Sequence, residues 1–121
     1  MISGIVEDMQ ARVNVVFRLP RRPDIEIEFV VDTGFAGALA LPLAVVSTLN
    51  LPYLQEMVAN LANDDNVKTD VHIGTIVWNG EELQVAVLAM GKHPLLGTSL
   101  LTGKELVTQF VENGLVTIED L

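Results

Sequence analysis

With 121 residues, half of them hydrophobic and 5% aromatic, the chain is expected to form one domain around branched aliphatic side chains. Its formal charge of −9, from 16 acids against 7 bases, opposes binding to nucleic-acid phosphates or to anionic lipid. The lack of cysteine excludes disulfides and thiolate metal sites.

Met1 to Gln10 carries Glu7 and Asp8 without a basic start or a long apolar run. No export signal is expected there, and a soluble cytoplasmic protein is the default. Arg12 to Leu19 sets Val13, Val15, Phe17 and Leu19 against Asn14 and Arg18, the alternation of a strand with one buried face. Pro20 to Asp24 is a turn by composition, with two prolines that would interrupt a ladder. Ile25 to Val31 then reads as the antiparallel partner strand, alternating at first and wholly apolar at its end. Ala38 to Leu41 predicts a short buried strand, and Pro42 is suited to open a helix that runs to about Leu49 before Asn50. The apolar stretch from Ala38 to Leu51 is too short, and too interrupted, to span a bilayer.

From Tyr53 the pattern is β again. Gln55 to Leu61 leads into the polar tip Asn63-Asp64-Asp65-Asn66, and Val67 to Trp78 returns, with Val71, Ile73 and Thr75 expected on one face. Asn79-Gly80 is a two-residue hairpin signal, followed by a strand from Leu83 to Met90. Gly91 to Pro94 forms a loop before Leu95-Leu96-Gly97, and Asn113-Gly114 joins Glu105–Val111 to Leu115–Ile118 in a last hairpin. The expected fold class is mostly β, barrel-like, with one short helix.

The residues richest in chemistry are Asp32-Thr33-Gly34, at the end of a strand that enters the core. A carboxylate there needs a hydrogen-bonding partner or a counter-charge. Thr33 supplies a hydroxyl, and Gly34 permits a tight turn. Taken locally, this is also the pattern of an Asx-turn, in which Asp32 caps the backbone two residues on. No second acid shares that setting, so a catalytic Asp32 requires another copy of the chain.

Phe29-Val30-Val31-Asp32-Thr33-Gly34-Phe35-Ala36-Gly37, followed far downstream by His93-Pro94-Leu95-Leu96-Gly97, resembles the retropepsin-like aspartic peptidases, in particular small prokaryotic single-domain members. The resemblance extends from Val13 to Ile118. It implies a single retropepsin-like domain, a closed β-barrel like one half of an acid protease, across residues 1–121. It further implies a homodimeric endopeptidase in which the two Asp32 carboxylates activate water against a peptide bond. Thr33 would hydrogen-bond across the dimer axis, Gly34 would keep the site floor thin, and Leu95, Leu96 and Gly97 would support the catalytic loop. The hairpin tip Asn63, Asp64, Asp65 and Asn66 takes the place of the flap that covers a peptide or protein substrate. No cofactor, metal, nucleic acid or membrane partner is implied.

Two departures favour a second expectation, an inactive dimeric module that binds peptide on the same fold. Phe35 stands where retroviral enzymes carry a small residue, and no glycine occurs between Gly37 and Gly74. The remaining polar residues carry less. His72 and His93 lack metal-ligand spacing, Asp64, Asp65 and Asp70 lack the pattern of a calcium loop, and Ser47 and Ser99 have no histidine–acid setting. Trp78, flanking a hairpin turn, reads as core or interface.

Overall fold

In the computed structural model, which describes residues 1–60 and 64–121, the alternating segments join into one ten-stranded sheet. The strands are β1 (Ile2–Glu7), β2 (Gln10–Phe17), β3 (Ile25–Val31), β4 (Leu39–Leu41), β5 (Tyr53–Asn60), β6 (Asn66–Trp78), β7 (Glu81–Ala89), β8 (Leu95–Leu96), β9 (Lys104–Thr108) and β10 (Leu115–Asp120). Their order is β5-β6-β7-β4-β8-β3-β2-β1-β10-β9. A further pairing of Val16 with Val77 and Phe17 with Ile76 joins β2 to β6. Strands β2, β3, β8, β4, β7 and β6 therefore form a closed ring, with β5 and the β1–β10–β9 group outside it. The fold is mostly β.

The interior of the ring explains the apolar alternation. Val13, Val15 and Phe17 of β2 point inward beside Phe29 of β3, and Leu39, Leu41, Ile76, Leu96 and Ile118 complete a buried core. Phe17 and Phe29 stack with ring centroids 6.1 Å apart, which ties the two strands together beneath the site. One helix, α1 (Leu43–Leu49), turns Val46 and Leu49 inward. Pro42 stands just before it, where its carbonyl accepts the amides of Val45 and Val46, and Asn50 ends it in the left-handed conformation. Among the described residues no helix is long and apolar enough to cross a membrane.

Four features depart from the sequence expectations. The first ten residues, read only for targeting, form β1 and the start of β2, joined through Asp8 and Met9 at φ 54° and 58°. That turn has the mirror-image geometry usual for tight hairpins, but Asp-Met is not a dipeptide that announces it. Strand β6 buries two different faces: Val71 belongs to a small cluster with Ala40 and Leu88, while Gly74, Ile76 and Trp78 are buried further along. Ile73 and Thr75, expected to share the buried face of Val71, are half-buried. The strand changes partners along its length, running from the β5–β6 hairpin into the closed ring, so its inner side changes too. A 3-10 turn over Thr98–Leu101 follows β8. Finally, β9 stops at Thr108, because Gln109 to Gly114 fold into a hydrogen-bonded loop.

Surface ion pairs are modest in weight. Arg12 bonds Glu28 at 3.0 Å, which holds the guanidinium above its ordinary range, and the Lys104 ammonium holds the exposed Asp120 carboxyl below its own.

Candidate active site

Asp32 follows β3 directly, and its backbone is clamped from the side by β8. The two strands run parallel, Val30 beside Leu95 and Val31 beside Leu96. The Val30 amide donates to the Pro94 carbonyl at 3.0 Å, and the Asp32 amide donates to the Leu96 carbonyl at 2.9 Å. On its other side β8 meets β4 antiparallel, Leu39 opposite Leu96. The short Leu95-Leu96 segment thus lies between the strand that enters the Asp32 loop and the strand that leaves it. Leu96 is fully buried, so the acid stands on a packed apolar floor.

The loop itself is held by its own groups. The Gly34 amide donates to Asp32 Oδ1 at 2.9 Å, and the Phe35 amide donates to the Asp32 carbonyl at 3.1 Å. This is the Asx-turn that the sequence allows. Downstream, the amides of Gly97, Thr98 and Ser99 donate to the carbonyls of Ala38, Phe35 and Gly37. Gly97 is buried against those carbonyls. Thr33 is exposed at the loop's outer edge, and Asp32 itself is half-buried.

Two hollows meet at this loop. The larger, about 830 Å³, begins at Gly34 and runs between the loop, β5 and β7, with Phe35, Met57, Leu83, Val85, Leu88 and Met90 among its walls. The smaller, about 380 Å³, contains Asp32 and Thr33 together with Met9, Leu106, Thr108 and Phe110. Asp32 thus lines the smaller hollow, and Gly34, two residues on, lines the larger.

A search of solved structures finds this fold elsewhere. A retropepsin-like aspartic protease from Rickettsia conorii superposes with a TM-score of 0.58 and 17% identity, over 100% of this chain and 91% of that one. The fold is that of the retropepsin-like aspartic proteases. The EIAV protease complexed with the inhibitor HBY-793 matches with a TM-score of 0.57 and 19% identity, over 80% of this chain and 91% of its own. No protein-family model matches the chain, and no curated protein matches it.

Asn63 lies outside the described residues. Asp64, Asp65 and Asn66 stand at the exposed end of the β5–β6 hairpin, away from the cleft walls, to which the hairpin contributes Met57 and Val58. Asp64 has φ 64°, the left-handed conformation in which glycine is most at home. Phe35 packs against Ala40, Val71 and Leu88, and its ring covers Gly37. The ring both anchors the loop and walls the cleft.

His72 is structural: its Nδ1 lies 2.9 Å from the Leu51 carbonyl, and its ring meets Tyr53 edge-on. His93 is exposed on the loop before β8, and Trp78 is buried in the core. Among the described residues no three His, Asp or Glu side chains gather as a metal site. Met9 and Phe110, which line the hollow that holds Asp32, were not among the residues singled out from sequence. Each is one apolar side chain in a turn, with no periodicity to mark it.

Proposed function

We propose that the protein is an aspartic endopeptidase that works as a homodimer, with one Asp32 from each chain. The observation that carries this reading is Asp32 at the end of β3, in a loop whose next residues wall an apolar cleft, in a retropepsin-like fold. Two carboxylates brought together cannot both ionise, so the pair shares one proton, as is general for aspartic proteases. The ionised member takes a proton from water, and the resulting hydroxide adds to the peptide carbonyl carbon. The protonated member gives its proton to the carbonyl oxygen. Collapse of the tetrahedral adduct returns that proton to a carboxylate, and the amide nitrogen leaves as an amine with a proton from the pair. Peptide enters as an extended strand, apolar side chains against Phe35, Met57 and Leu88, with backbone bonds to the exposed β5–β6 hairpin.

The test compares peptide cleavage by the native chain and Asp32→Asn from pH 4 to 7. Cleavage should rise toward the acidic side for the native chain and fall by a factor of about 1,000 or more for the variant. Equal cleavage by both removes Asp32 from catalysis.

A second reading is a dimeric module that binds peptide and leaves it intact. It is favoured by the Asp32–Gly34 bond, which gives one carboxylate oxygen a local, structural role. Mass spectrometry of a peptide mixture after incubation separates the two, since the module returns every peptide whole.

A further inference from the structure

We infer that the second copy docks on the shoulder formed by Met9 and Phe110 beside Thr33, and that strands β1 and β10 lend no edge to the joining of the two copies. This rests on the pairing of two Asp32 residues proposed above. It adds the surface through which the pairing is made.

Three observations lead there. First, β1 and β10 are already inside the sheet. Strand β1 lies between β2 and β10, with Ile2 opposite Ile118, and β10 lies between β1 and β9. Strands with neighbours on both sides offer no ladder to a second chain, so an interleaved sheet built on β1 and β10 would require breaking these pairs. Second, Met9 is 57% exposed and Phe110 is 60% exposed, and both border the hollow that holds Asp32 and Thr33. A rotation axis that brings two Asp32 side chains into contact must pass beside this hollow. A contact made over this hollow covers the apolar shoulder that adjoins it.

Third, the shoulder is rigidly carried. The Asp8 amide donates to the Glu112 carboxylate, the Asn113 amide to the Val6 carbonyl, and the Val6 amide to the Gly114 carbonyl. The turn bearing Met9 and the loop bearing Phe110 are thus fastened to each other within one chain. Exposed apolar side chains on a fixed frame lose little conformational freedom on docking, which favours a protein interface. An aromatic residue at the middle of such a surface is the usual anchor.

The outer face of the same sheet provides a control. Ile5 and Leu115 pair across β1 and β10 with Leu115 48% exposed, yet neither residue lines the hollow that holds Asp32. Sedimentation across a concentration series, with circular dichroism to verify folding, is applied to the native chain, Phe110→Glu, Met9→Glu and Leu115→Glu. The native chain is expected to dimerise. Phe110→Glu and Met9→Glu should each weaken that dimer by about tenfold or more while staying folded, and Leu115→Glu should leave it unchanged.

A native chain that is monomeric at every concentration overturns the inference. So does dimerisation that survives both shoulder changes, or one that Leu115→Glu abolishes. Peptide cleavage, measured in parallel, separates this from the catalytic reading. A shoulder-dependent dimer without cleavage keeps the interface and rejects hydrolysis. Cleavage by a shoulder-independent dimer does the reverse.

Discussion

A methyl group on Gly97 would lie 2.1 Å from the Gly37 carbonyl oxygen and 2.5 Å from that of Phe35. Backbone on both sides leaves no soft neighbour to move. Gly97→Ala should therefore push β8 away from the Asp32 loop, at a cost of about 3 kcal/mol, and reduce cleavage with it. Chemical denaturation checks the stability, and a variant as stable as the native chain would show that the loop is looser than its hydrogen bonds imply. Asp32-Thr33-Gly34 and Leu95-Leu96-Gly97 were legible in the sequence because each is a local string with strand context. The role of Phe35 was not. Whether its ring narrows the site or anchors the loop depends on Ala40, Val71 and Leu88, which the chain brings to it from three different strands.

Between residues and the whole stand the paired elements. Strand β3 reaches the site over Phe29, which is fully buried and stacked on Phe17. Removing that ring leaves a cavity directly below the strand that carries Asp32. Phe29→Ala should cost about 3–5 kcal/mol, measured by thermal or chemical unfolding. A loss under about 1 kcal/mol would mean that the core collapses around the gap, and that β3 is not held in the way described here. The β2–β3 and β6–β7 hairpins were readable because alternation and Asn79-Gly80 are signals within a few residues of each other. Asn79 and Gly80 take φ of 51° and 81°, the paired left-handed geometry which that dipeptide favours. Strand β1 escaped because its partner β10 is more than a hundred residues away and its turn residues, Asp8 and Met9, are ordinary ones. The two faces of β6 escaped for a related reason: alternation fixes which residues share a side, not which side faces the core at each end.

At the scale of the molecule, one chain contains a cleft, a loop and a single acid of the required kind, and the chemistry proposed needs two. The mostly-β class and the retropepsin-like likeness followed from strand pattern and two motifs, because those are properties of one chain. The shoulder of Met9 and Phe110 could not be read in that way, since exposed apolar residues acquire meaning only from what stands next to them in space. A net charge of −9 on each copy works against association, so the apolar contact has to outweigh that repulsion. The most direct measurement is the separation of the two Asp32 carboxylates in a crystal of the dimer. This account predicts oxygen atoms within hydrogen-bond range, about 2.5–3.0 Å, across a two-fold axis flanked by Phe110 from both copies. Carboxylates that point away from one another, with the shoulders left in solvent, would contradict it.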